Sequence, residues 1–171
     1  MGVTTSNGTL PAPEPLADRH NLDAFDSGEP ELDDWLRRRA RANQITGASR
    51  TFVVCRDLNV VAYYALAAGA IASSEAPGRL RRNMPDPIPV IVLGRLAVHR
   101  PEQGQRLGSL LLRDAVLRTH QAAQAAGIAA ILVHAISENA KRFYLRWGFV
   151  ECPSDPRTMV ARMRDLDALL A

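Results

Sequence analysis

Lysine is nearly missing from this chain: Lys141 stands alone against 20 arginines in 171 residues. Arginine makes planar bidentate contacts with phosphate that lysine cannot. Coding bias in a GC-rich genome enriches arginine equally well, so only clustering can separate the two explanations. Cysteine is scarce too. Cys55 and Cys152 lie far apart with no metal-ligand spacing, which argues against a disulfide scaffold or a cysteine-built metal centre. Two reduced core thiols are expected. No apolar run reaches the roughly 18 residues of a membrane span. The N-terminus shows no basic region followed by an apolar core, so nothing suggests secretion and a cytoplasmic protein is expected. Repeats and internal linkers are absent, and no metal is implied.

What is present fits one globular domain. Hydrophobic residues make up 47% of the chain and the net charge is only +3. Residues 1–15, polar and carrying Pro11, Pro13 and Pro15, read as a flexible leader, which leaves 16–171 as the folded domain. Leu22 to Phe25 is a short strand or turn. A helix is expected from about Pro30, with Glu29, Glu31, Asp33 and Asp34 in its first turn. Its Leu32, Trp35, Leu36 and Ala40 face the core, and Arg37, Arg38 and Arg41 fall on the outer face. That outer face is either a solvated surface or a phosphate-contacting one.

Thr51–Arg56 and Val60–Ala67 read as a hairpin across Asp57-Leu58-Asn59. Residues 68–89 are irregular and carry Arg79, Arg81 and Arg82. A loop of that length is functional or mobile, or else a solvated insertion. A helix over Ser109–Ala126, ended by Gly127, precedes a buried strand Ala129–Ile136. A short helix Glu138–Trp147 and strands Phe149–Cys152 and Thr158–Met163 follow, separated by the turn Pro153–Pro156. Asp165–Ala171 is a tail helix. The order is mixed α/β with one sheet.

The stretch from Val90 to Leu112 organises the rest. An apolar run ends at Val98, polar turn residues follow, and a helical pattern begins near Gly108. A strand–loop–helix junction aims unpaired N–H groups and the positive helix end at whatever lies before it, and a pyrophosphate fits there. Together with Asn139, Phe143-Tyr144 and Gly148-Phe149, the Gln103-x-x-x-x-Gly108 loop resembles that of the GNAT acyl-CoA-dependent N-acetyltransferases. The wider pattern is similar to their toxin branch, which acetylates aminoacyl-tRNA. One residue departs from the family pattern: Arg106 occupies the place of the middle glycine. If that place needs φ > 0, a side chain there costs about 1 kcal/mol or more.

The resemblance implies a single-domain GNAT fold, α/β with one mixed, mostly antiparallel sheet whose central strands splay, flanked by helices. It implies that backbone groups of Leu96, Ala97 and Val98 pair with pantetheine and polarise the thioester carbonyl of acetyl-CoA. The loop Gln103, Gly104, Gln105, Arg106, Leu107, Gly108 and Ser109 would cradle the pyrophosphate, and Asn139 would contact the pantetheine arm. Tyr144 would be the general acid. With Phe143 packed inward, the ~100° between adjacent helical side chains turns Tyr144 toward the cleft; a core tyrosine is the alternative. Arg37, Arg38, Arg41, Arg79, Arg81 and Arg82, some of them with Arg113, would hold the RNA backbone of an aminoacyl-tRNA. The resemblance also implies a small ribbon–helix–helix antitoxin as partner, and a homodimer is expected.

The chemistry fits these residues. A neutral amine attacks the thioester, backbone N–H groups stabilise the oxyanion, and a phenol returns a proton to sulfur. An α-amine has a pKa around 7.7–8.0, and esterification lowers it, so no strong base is demanded. Acetylation of a protein N-terminus or small amine is the rival activity, and a degraded GNAT acting only as a binding module is the rival class. Arg95 interrupts an apolar run, and either faces the acceptor pocket or forms a structural salt bridge. His134, inside an apolar strand, is expected to pack or hydrogen-bond in the core, and His99 to sit at a rim.

Overall fold

A computed structural model describes the backbone of residues 3–5 and 8–170. In chain order the elements are β1 (Val3–Thr5), β2 (Gly8–Leu10), β3 (Glu14–Pro15), α1 (Pro30–Arg38), α2 (Ala40–Thr46), β4 (Arg50–Arg56) and β5 (Asn59–Ile71). There follow α3 (Gly78–Arg81), β6 (Ile88–Val98), α4 (Leu107–Ala123), β7 (Ala130–His134), α5 (Glu138–Arg146), β8 (Val150–Cys152) and β9 (Asp155–Arg162). Seven strands form one sheet in the order β3-β4-β5-β6-β7-β9-β8. Within it β6 and β7 run parallel, whereas β3–β4, β4–β5, β7–β9 and β8–β9 are antiparallel. This is the mixed, mostly antiparallel α/β sheet that the sequence implies.

The β4–β5 hairpin turns where expected, with Asp57 in the left-handed region at φ 56, which Asp tolerates better than most residues. The parallel ladder is short. It pairs Val90–Leu93 with Ala130–Val133 and stops, while β6 continues to Val98.

Two compact units make up the chain, Met1–Ala67 with Arg95–Asp114, and Ala68–Gly94 with Ala115–Ala171. In the first, Leu22, Phe25, Leu32, Leu36, Val53, Tyr63 and Ala97 share one buried cluster. In the second, Ile71, Leu80, Ile88, Val90, Leu132 and Val160 do so. Burying such side chains is worth roughly 1.5–3 kcal/mol each. Cys55 and Cys152 are free and buried, and burial pushes both thiols up to about 11.

Several boundaries differ from the sequence reading. The stretch 1–15, expected as a leader, contains β1, β2 and β3 among its described residues. Buried Leu10 and the pairing of Glu14 and Pro15 with Val53 and Phe52 hold part of it to the fold. The first helix breaks at Arg39 (φ −121), although Leu36 and Ala40 on either side are fully buried. The segment expected as irregular is partly ordered: β5 runs on to Ile71 and α3 buries Leu80. α4 ends at Ala123, four residues before Gly127. Asp155 and Pro156 belong to β9 rather than to a turn, and the tail is a 3-10 run, Met163–Leu169.

Leu36 is fully buried and Arg38, two residues on, is exposed. Leu36→Ala is therefore expected to cost about 2–5 kcal/mol in chemical denaturation, and Arg38→Ala under about 0.5. Equal losses would contradict the assigned helix faces.

Candidate active site

The strand-to-loop junction after β6 is fastened on several sides. The His99 amide donates to Val61 O at 2.8 Å, and the Arg100 amide to Asp26 O at 2.8 Å. A 3-10 turn, Arg100–Glu102, follows. Its Glu102, only 3% exposed, accepts two bonds from Arg56 of β4, Nε at 2.8 Å and Nη2 at 3.0 Å. That carboxylate raises the Arg56 pKa. The Gln103 side-chain amide then donates to Ser27 O and Val98 O, both at 2.8 Å. Gln103 therefore spends its side-chain donors holding the strand end to the 26–28 loop, and its backbone N–H donates to Arg100 O at 3.1 Å. Neither Arg56 nor Glu102 was selected by the sequence reading, because 46 residues separate them and no local pattern links them.

Beyond this anchor the backbone opens. Gly104 has φ +82, and a Cβ built there would meet no atom within 4 Å. Arg106 has φ 63, so the place of the missing glycine does require the left-handed region, at a cost of roughly 1–2 kcal/mol. Its side chain is exposed. Buried Leu107 starts α4, and the first intrahelical bond is Leu110 N–H to Arg106 O at 3.2 Å. The N–H groups of Leu107, Gly108 and Ser109 precede that bond and point out of the helix end. Such donors, an open glycine and a nearby guanidinium suit a pyrophosphate; Gln105, between them, is half-buried.

On β6, Leu96 and Val98 are half-buried and Ala97 is buried. The Arg95 guanidinium lies 5.1 Å over the Trp35 ring, and Trp35 stacks on Tyr63 at 6.1 Å and 8°. The Tyr63 hydroxyl donates to Leu32 O at 2.6 Å. Arg95 is thus layered on an aromatic pair, a role that strand alternation does not announce.

The outer-face arginines divide. Arg37 donates to Phe25 O at 2.7 Å and pairs with Asp34 at 3.3 Å. Arg41 donates to His20 O. Arg38 is exposed. Arg113 on α4 is half-buried. Two of the three arginines on that face therefore serve the fold, which helical spacing alone could not reveal.

In the second unit, Arg79, Arg81 and Arg82 are exposed on and just after α3, whose Leu80 is buried beneath them. α5 starts at the N-cap Ser137, whose hydroxyl accepts from Ala140 N–H at 3.1 Å. Asn139 is exposed, and its carbonyl oxygen accepts from Arg142. Tyr144 is 7% exposed and packs edge-on against Phe143 and Phe149, at 5.2 and 5.4 Å. Phe143, expected inward, is only half-buried and lies under Arg146. The order of burial is the reverse of the expected one, because α5 turns Tyr144 onto Phe149. Burial raises the Tyr144 pKa well above the ordinary phenol value, so the hydroxyl keeps its proton. Among the described residues no His, Cys, Asp or Glu side chains gather as a metal-holding group, and no helix is long and apolar enough to cross a membrane.

Known proteins resemble this chain. Residues 47–151 match the acetyltransferase (GNAT) domain family. A tRNA-acetylating toxin of Mycobacterium tuberculosis (strain ATCC 25618 / H37Rv) is 54% identical over 159 residues, covering 93% of this chain and 96% of its own. The structure of AtaT complexed with acetyl-methionyl-tRNAfMet superposes with a TM-score of 0.85 at 27% identity, over 94% of this chain and 99% of that one. A mutant AtaT toxin bound to the C-terminus of the antitoxin AtaR and to acetyl-CoA gives 0.79 at 27% identity, over 92% and 96%.

Arg106 is the strained position. Arg106→Gly is expected to stabilise the fold by about 1 kcal/mol in chemical denaturation, since glycine adopts φ > 0 without a Cβ penalty. A loss of stability would mean that the arginine side chain supports the loop.

Proposed function

We propose that this chain, which belongs to the GNAT acetyltransferase family, acetylates the α-amino group of aminoacyl-tRNA and so acts as a toxin that blocks translation. The family membership makes it an acetyltransferase with acetyl-CoA as cosubstrate. The observation that carries the site is the loop Gln103–Ser109, with open Gly104 and the three helix-end donors of Leu107, Gly108 and Ser109. The near full-length likeness to the mycobacterial toxin supports the acceptor.

In this reading the backbone of Leu96, Ala97 and Val98 aligns the pantetheine arm and polarises the thioester carbonyl. The loop residues Gln103, Gly104, Gln105, Arg106, Leu107, Gly108 and Ser109 hold the pyrophosphate, with Arg106 adding a charge to phosphate. Asn139 contacts the pantetheine arm. The amine attacks as its neutral form, backbone N–H groups stabilise the oxyanion, and Tyr144 returns a proton to the departing sulfur. An ordinary phenol, with a pKa around 10, already carries its proton throughout the neutral range, as a general acid must. Arg95 faces the acceptor. Exposed Arg38, Arg79, Arg81 and Arg82 contact RNA phosphates, and Arg37 and Arg41 contribute through N–H groups left over from their carbonyl bonds. The partner that silences the toxin is a ribbon–helix–helix antitoxin whose tail is drawn to an arginine-lined groove. A cytoplasmic homodimer completes the proposal.

Labelled acetyl-CoA incubated with the protein and total charged tRNA tests this reading: label is expected in the RNA, and label only in small amines or protein would overturn it. Tyr144→Phe is expected to lower turnover roughly 10²–10⁴-fold with unchanged acetyl-CoA affinity; near-normal turnover would remove Tyr144 from the proton path. Charge reversal at Arg79, Arg81 and Arg82 is expected to flatten the salt dependence of tRNA binding by about one unit of slope for each phosphate no longer held. An unaltered slope would take the RNA off that surface.

A further inference from the structure

We infer that His134 is the general base of the transfer, held in its working tautomer by a relay through Thr158 to Asp155; this rests on the acetyltransferase reading above. His134 ends β7 and is exposed rather than buried, contrary to the sequence expectation. It sits directly across from Thr158 of β9. The Thr158 hydroxyl donates to Asp155 Oδ2 at 2.8 Å. An ionised carboxylate only accepts, and Asp155 is held below the usual carboxylate range by that hydroxyl first and by the Arg157 amide. The hydroxyl proton is therefore committed. Thr158 Oγ1 has only lone pairs left to offer His134 Nδ1, 3.0 Å away. Nδ1 must carry the proton and donate it, which leaves Nε2 as a bare lone pair. Nε2 has no partner among the described residues. A carboxylate orienting an imidazole so that the far nitrogen is basic is the arrangement a general base needs.

The other histidines lack this combination. Both ring nitrogens of His20 are engaged, by Ala17 N–H at 2.9 Å and Glu14 at 2.6 Å. His99 Nδ1 accepts the Asp26 amide at 3.0 Å, so its outer nitrogen carries the proton. His120 Nε2 lies 3.2 Å from Asp167.

Position supports the role. The parallel ladder ends at Leu93 and Val133, so His134 and Gly94 are the first residues beyond it on their strands. A Cβ on Gly94 would meet nothing within 4 Å, which leaves open space at that point. Gly94 lies two residues, about 7 Å along an extended strand, before the Leu96–Val98 backbone assigned to the thioester. Arg157 fixes the chain just after His134, donating to Ile136 O at 3.2 Å.

The step balances. The amine lone pair forms the C–N bond to the acetyl carbonyl carbon, giving a tetrahedral adduct with a cationic nitrogen. An N–H bond breaks, its proton passes to His134 Nε2, and the C–S bond breaks with its electron pair going to sulfur. The thiolate takes up a proton from Tyr144, so the active site is reset when His134 returns its proton to water and Tyr144 regains one.

Single-turnover acetylation of charged tRNA by the full chain tests this, comparing wild type with His134→Ala, His134→Gln and Thr158→Val. His134→Ala is expected to lower kcat about 10²-fold with KM for acetyl-CoA and for tRNA within about twofold. Added imidazole should restore part of the loss in His134→Ala but not in Thr158→Val, where the ring is still present. Thr158→Val should fall between wild type and His134→Ala. Near-normal kcat in both His134 variants, or a loss seen only in tRNA KM and untouched by imidazole, would overturn the inference. If wild type transfers acetyl only to small amines, the tRNA reading fails instead, and imidazole rescue on such an amine still decides the role of His134.

Discussion

The constraint on which the rest depends is that β6 and β7 hydrogen-bond as parallel strands for only four residue pairs. Backbone donors and acceptors in a sheet are normally spent on a neighbour. The ladder stops at Leu93 and Val133, while β6 still has five residues to run, Gly94 to Val98. The residues around that point carry the proposed chemistry: Gly94 with open space beside it, Leu96–Val98 for the thioester, and His134 closing β7.

The loop after β6 shows how the fold tolerates strain where function needs it. A left-handed arginine is costly and persists only if its surroundings fix the backbone. Here they do so from before and after. Buried Glu102, paired with half-buried Arg56, and the Gln103 amide fix the approach, and buried Leu107 fixes the helix start. The segment between, Gly104 to Arg106, is held at both ends, with Gly104 and Arg106 exposed and Gln105 half-buried.

Much of this was legible in the sequence. The strand–loop–helix junction, the β4–β5 hairpin and the helix α5 follow from periodicity and turn chemistry, and the residues Asn139, Tyr144 and Gly148 complete a recognisable family pattern. The illegible parts share one cause, contacts between residues distant in sequence. Arg56 meets Glu102, Arg95 stacks on Trp35, and Thr158 meets His134 across a strand pair. His134 looked like a core residue because its neighbours are apolar, yet the strand ends there. The outer-face arginines shared a helical spacing, but Arg37 and Arg41 had backbone carbonyls to hold. Charge pattern shows where cations are, not what they already bind.

The account stands on an acetyl group moving from acetyl-CoA to the amine of an amino acid esterified to tRNA. Mass spectrometry of the aminoacyl-adenosine released from tRNA by nuclease, after incubation with the protein and acetyl-CoA, observes that bond directly. An acetyl group on the α-nitrogen, formed only when the tRNA is charged, is the predicted result. Unmodified aminoacyl-adenosine, with acetyl groups instead on free amines or on protein, would contradict it.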